Sequence, residues 1–177
     1  MPNYSGVWKL KEVIEYIAAG EWPDASADIA VYAGGYVSAS INVIESVAIA
    51  SSGNTVDFGD LTLARRLFAG MSSSTRGVFA GGGSSPNSDV IDYITIKTAG
   101  NAVDFGDTTA AMDEGYSAGF GNESRGIYSG GYQSSTAINN MEYITIASTG
   151  NGTDFGDLTE KRTGNISGFC STTRGGM

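Results

Sequence analysis

The chain has 177 residues, with 10 Lys+Arg against 19 Asp+Glu for a net charge of −9 at pH 7, and it contains no histidine. An acidic surface lacks the phosphate attraction that drives nucleic-acid binding and is repelled by anionic membranes, so the charge argues against nucleic acid and membrane insertion. With no histidine, and with Cys170 as the single cysteine, His–Ser and His–Cys relays, zinc sites of thiolate or imidazole, Cys-ligated clusters and an intrachain disulfide are excluded.

The length predicts one domain with a sizeable core. Gly, at 26 residues, is about twice its average share, while Pro numbers 3 and charged residues make up 16%. This composition is rich in turns without being that of a disordered chain. Glu12 and Glu15 interrupt the apolar run a signal peptide needs, and no stretch of 18 apolar residues occurs. The expectation is a soluble chain made in a cytoplasm and not exported by the general secretory route.

Residues 1–28 form a segment of their own. Trp8, Leu10, Val13, Ile14 and Ile17 fall near helical spacing, Ser5 can cap, and Gly20 followed by Trp22-Pro23 can stop, which predicts a short amphipathic helix over about 7–19. Trp8, Leu10, Ile14 and Trp22 then either anchor the chain on another protein or cover an open end of its own domain.

From residue 29 to 177 the chain repeats itself three times, which bears on the fold before anything else does. Asp-Phe-Gly-Asp occurs at Asp57–Asp60, Asp104–Asp107 and Asp154–Asp157, in steps of 47 and 50 residues, each preceded by Gly-Asn at Gly53, Gly100 and Gly150. Arg-Gly recurs at Arg76, Arg125 and Arg174, and hydrophobic runs ending in Gly-Gly close at Gly35, Gly82 and Gly131. Ile91, Tyr93 and Thr95 alternate with Asp92, Ile94 and Ile96, the period of a strand. The second copy thus predicts strands at about 66–72, 77–82, 90–97 and 102–107, divided by Ser/Gly/Asn turns. Four short strands per repeat of about 48 residues is the arithmetic of a β-propeller blade, whereas helical repeats of that length need a 3.6-residue period.

Three groups of residues invite a chemical role. The carboxylate pairs Asp57 with Asp60, Asp104 with Asp107 and Asp154 with Asp157 could gather calcium, or their side chains could cap their own turn amides while Gly59, Gly106 and Gly156 supply positive φ. A protein-kinase reading of Asp-Phe-Gly fails, because the triplet recurs in register with the repeat and no nucleotide loop accompanies it. Arg76, Arg125 and Arg174 could tie one repeat to the next or ring a ligand. Phe58, Phe105 and Phe155, with Tyr32, Phe79 and Tyr128, suit a core between repeats. The loops after Gly-Gly vary between copies, and Tyr36, Asn87, Tyr132 and Gln133 in them combine flat aromatic faces with amides, a mix suited to sugars, although any one of them taken singly fits a solvated turn better. No catalytic set, cofactor or metal site is expected.

The order of hydrophobic-Gly-Gly, strand, aromatic in the fourth strand and Arg-bearing link resembles a Kelch-type propeller repeat, with Phe58, Phe105 and Phe155 where Kelch repeats usually carry Trp. The stretches Ser74–Gly82 and Tyr143–Thr159 resemble repeats in structural proteins of tailed bacteriophages, notably those of cyanobacteria, and residues 5–23 are similar to the start of many such proteins. The resemblance implies an all-β, Kelch-like propeller with three four-stranded repeats and a short N-terminal helix. It also implies a non-enzymatic virion protein on the tail or capsid, docked to other virion proteins through its N-terminal segment, or else a tail-fibre tip that binds a host surface glycan. The second copy departs from the pattern, with Met112-Asp113 where the others have Arg65-Arg66 and Arg162.

Closed propellers take about four to eight blades, so three repeats leave a ring open. The first repeat opens at its second strand, 29–35, and a surplus first strand is predicted at 164–171. These halves are complementary, which predicts that Gly164–Ser171 completes the first blade of a second chain and that two chains form a six-bladed homo-oligomeric ring. An open or prism-like trimer is the other arrangement the pattern permits.

Overall fold

Glycine pairs and Ser/Asn turns cut the alternating sequence into short antiparallel strands. The structure, a computed structural model, describes residues 29–83, 87–112, 118–163, 167–170 and 175–176. The helix expected at 7–19, the anchor residues Trp8, Leu10, Ile14 and Trp22, and Arg174 lie outside the described residues.

The first repeat supplies β1 (Ile29–Tyr36), β2 (Ser40–Ala48) and β3 (Val56–Asp60), hydrogen-bonded in that order. The second supplies β4 (Ala69–Ser72), β5 (Arg76–Ala80), β6 (Ser88–Thr95) and β7 (Val103–Met112), again a meander. The third contains β8 (Ala118–Gly121), β9 (Arg125–Ser129), β10 (Tyr132–Gln133), β11 (Thr136–Thr145) and β12 (Thr153–Arg162), in which β11 pairs with β9, β10 and β12. A two-stranded sheet of β13 (Phe169–Cys170) and β14 (Gly175–Gly176) follows. The described chain is all-β, in several antiparallel sheets none of which closes on itself. Among the described residues no helix is long and apolar enough to cross a membrane.

Four details differ from the sequence expectations. The strand expected to open at 66 begins at Ala69, because Leu67 takes a φ of 60° and Arg66 bonds Gly83 in an isolated bridge. The strand expected to end at 107 runs on to Met112, which pairs with Ser88. Tyr132 and Gln133 are not in a variable loop: they form β10, half-buried, because Ser134 and Ser135 adopt φ of 49° and 59° and close a two-residue hairpin onto Thr136 and Ala137. The lone strand expected at 164–171 is confined among described residues to β13, which finds a partner in β14 of its own chain.

The three large sheets pack face against face. Ile44, Phe58 and Leu61 of the first repeat meet Phe79, Ile94 and Ala102 of the second, with Val31 and Phe68 packed alongside. Val78, Ile91 and Phe105, on the other face of the second sheet, meet Tyr128, Ile144 and Ile146 of the third. Adjacent side chains point to opposite faces of a strand, so Val78 and Phe79 serve different cores. The middle sheet is buried on both faces, and β5 is consequently buried and apolar from Gly77 to Ala80, after its opening Arg76. The outer faces lack this cover. Tyr32, at the position of Phe79 and Tyr128, is 59% exposed, and Phe155, at the position of Phe58 and Phe105, is 45% exposed.

Candidate functional site

The residues that recur in every repeat converge on the joint between one sheet and the next. In β3, Ile44 pairs with Gly59 and Glu45 with Asp57, which leaves Phe58 as an extra residue in a β-bulge. The same bulge isolates Phe105 in β7 and Phe155 in β12. A bulge breaks the ladder and bends the strand, so the backbone groups around it are free for another partner. Asp-Phe-Gly-Asp is therefore a bulge within a strand and not a connecting turn.

The partner is the Gly-Asn pair of the following repeat. Gly100 N–H donates to Phe58 O at 2.7 Å, Ala102 N–H to Asp60 O at 2.8 Å, and Asp60 N–H to Asn101 Oδ1 at 3.1 Å. One repeat later Gly150 N–H donates to Phe105 O at 2.7 Å, Gly152 N–H to Asp107 O at 2.8 Å, and Asp107 N–H to Asn151 Oδ1 at 3.2 Å. The central glycine is required twice over. Gly106 has φ 146°, and a Cβ on it would stand 2.6 Å from the carbonyl of Gly150. Gly156 has φ 121°, but a Cβ there would meet nothing nearer than Met141 Cε at 4.0 Å.

A carboxylate completes each joint. Asp92 is fully buried and accepts Thr62 N–H at 3.3 Å and Thr62 Oγ1–H at 2.6 Å from the preceding repeat. Its counterpart Glu142 accepts Thr109 N–H at 3.0 Å and the Thr109 hydroxyl. The charge is met differently in the two joints. Arg65, also fully buried, places Nη1 2.6 Å from Asp92 Oδ2, donates Nη2–H to Phe79 O at 3.1 Å, and stands over the Phe68 ring. In the second joint Met112 takes the place of Arg65, and the Tyr128 hydroxyl, which Phe79 lacks, donates to Glu142.

Burial first, and then the bond to and charge of Glu142, push the Tyr128 hydroxyl well above the usual tyrosine range. A raised pKa contributes stability that is intact below the unfolded value of about 10 and is lost as pH rises beyond it. Alkaline titration followed by tyrosinate absorbance should thus show at least one tyrosine ionising only as the circular-dichroism signal collapses. Ordinary titration of every tyrosine in the folded protein would contradict this placement.

Other charged residues divide between the joints and their own repeats. Arg76 Nη1 donates to Ile146 O, in the turn after β11 of the third repeat, at 3.0 Å and its guanidinium lies 4.5 Å from the Tyr93 ring centroid. Arg125 stacks on Tyr143 of its own sheet at 4.6 Å. Glu123 receives Ser74 N–H at 3.0 Å and Ser74 Oγ–H at 2.7 Å from the preceding repeat, and these bonds hold its carboxyl below the usual range. Asp104 and Asp154 accept the amides of Gly106 and Gly156 two residues on, at 3.2 and 3.1 Å. Among the described residues no group of three His, Cys, Asp or Glu side chains is placed to hold a metal ion.

The sugar-binding candidates are spread over three sheets. Tyr36 ends β1, 61% exposed, with Arg66 4.9 Å from its ring centroid. Asn87 is exposed before β6, while Tyr132 and Gln133 are in β10. Sequence reasoning passed over Thr62 and Thr109, Asn101 and Asn151, and Asp92 and Glu142. Their signal was present: a threonine two residues after each Asp-Phe-Gly-Asp and an acidic residue at 45, 92 and 142 recur in all three copies. In comparisons with known proteins the chain matches no family model and no curated protein.

Proposed function

We propose that the chain is a non-enzymatic structural protein of a tailed-phage virion, associated with tail or capsid and built of Kelch-like propeller blades displayed on the particle surface. In this reading two chains supply six blades to one ring, and residues 1–28 dock onto other virion proteins. The observation that carries it is the joint, whose two principal hydrogen bonds measure 2.7 and 2.8 Å at both places in the chain. The recurring Asp, Gly, Asn, Thr and acidic residues are spent on holding repeat to repeat, as an assembling scaffold requires, and the resemblance of the repeats to phage structural proteins supplies the setting. Mass spectrometry of purified particles tests it: the chain should be present in fixed stoichiometry, and its absence from particles would overturn the assignment.

A second reading, a tip module that binds a host surface glycan, draws on the exposed Tyr36 ring beside Arg66. It predicts glycan-array binding that Tyr36→Ala reduces about tenfold, in line with loss of a stacking platform. An array with no wild-type signal would remove it.

A further inference from the structure

Among the described residues the chain carries two complete joints and the two separated halves of a third. The trailing face of the third repeat has its bulge at Phe155, the open space over Gly156, Thr159 at the position of Thr62 and Thr109, and Arg162 at the position of Arg65. That last equivalence is fixed by the backbone: Gly35 N–H donates to Arg65 O at 3.0 Å and Gly131 N–H to Arg162 O at 2.9 Å. The leading face of the first repeat has Gly53-Asn54-Thr55 at the position of Gly100-Asn101-Ala102, Glu45 at that of Asp92 and Glu142, and Tyr32 at that of Phe79 and Tyr128. All these side chains are exposed, and among the described residues neither the Glu45 carboxylate nor the Arg162 guanidinium has a partner.

We infer that the trailing face of one chain receives the leading face of a second copy, with Arg162 pairing Glu45 and the Phe155 bulge accepting Gly53 and Thr55. The proposal rests on the reading of the chain as an assembling repeat protein and deepens it by naming the residues that choose the partner. The occupant is a second copy because this chain supplies both halves, and because its own two joints show which groups meet. Charge complementarity agrees: the first joint pairs an Arg with an Asp, and the third would pair an Arg with a Glu. The combination even includes Tyr32 beside Glu45, so both devices that are divided between the internal joints would meet here. Such a face-to-back contact uses different surfaces on the two chains, and two copies satisfy both faces of each in one closed pair. The pairing places β1 of one chain next after β12 of the other.

The contact is directional, and that makes it testable by charge reversal. Glu45→Arg opposes two arginines, and Arg162→Glu opposes two glutamates, so each variant alone should raise the dissociation constant of the pair at least about tenfold by sedimentation. Equimolar mixing of the two variants restores both ion pairs and should recover a two-chain species, as should the double variant by itself. Both positions are exposed, and unchanged circular dichroism checks that each variant folds. A wild-type pair that neither reversal weakens would overturn the joint while leaving assembly standing. A wild-type chain that stays monomeric at every concentration would overturn joint and assembly together, and variants that both weaken the pair yet fail to recombine would overturn the Arg162–Glu45 pairing.

Discussion

Arg65→Met is expected to cost about 3–5 kcal/mol of folding stability, the loss that follows when one member of a buried ion pair is removed and the other keeps its charge. Asp92 is fully buried, and Thr62 alone would remain to bond it. The internal repeat suggests the remedy. The second joint already has methionine at this position and answers its carboxylate with the Tyr128 hydroxyl. Adding Phe79→Tyr and Asp92→Glu to Arg65→Met copies that joint, and most of the lost stability should return in urea unfolding. Phe79 and Tyr128 occupy the same register, opposite Asp92 and Glu142 respectively. A loss under about 1 kcal/mol for Arg65→Met, the range of an exposed pair, would show that the ion pair does not hold the first joint.

Gly106→Ala should be nearly as damaging, at about 3 kcal/mol, from backbone strain of about 1–3 kcal/mol and weakening of two hydrogen bonds worth about 1 kcal/mol each. Its Cβ would collide with the Gly150 carbonyl and push the second and third sheets apart. Gly156→Ala shares the positive φ but not the collision. In dilute chains it should cost the strain alone, so the difference between the two variants measures the joint. Equal losses would mean that the Gly-Asn contact adds nothing beyond the shape of the bulge.

Strand positions were legible because the information is local: alternation fixes which side chain faces which sheet, and Gly-Gly pairs mark where β1, β5 and β9 end or bend. The hairpin of β10 was not legible because Ser134-Ser135 carries none of the Asn-Gly signal that announces a two-residue turn. The joint was half legible. Asp-Phe-Gly-Asp and Gly-Asn stood out as repeats, but their meeting is made by backbone N–H and C=O groups, which every residue has. Only the bulge, a property of pairing between strands, leaves those groups free. The role of Arg65 was hidden for another reason: Met112 breaks the pattern, and the tyrosine that compensates lies on a different strand. Tyr32 and Phe155 look like core in the sequence because they occupy core positions of the repeat, while the single chain leaves their outer faces uncovered.

The central claim is that one kind of joint links every repeat, and residue-resolved amide hydrogen exchange tests it most directly. Gly100, Ala102, Gly150 and Gly152 donate across the two internal joints and should exchange as slowly as strand amides, with Gly53 and Thr55 equally slow at concentrations where chains pair. Rapid, loop-like exchange at Gly100 and Gly150 would contradict the joint itself, and rapid exchange confined to Gly53 and Thr55 in paired chains would contradict its use between copies.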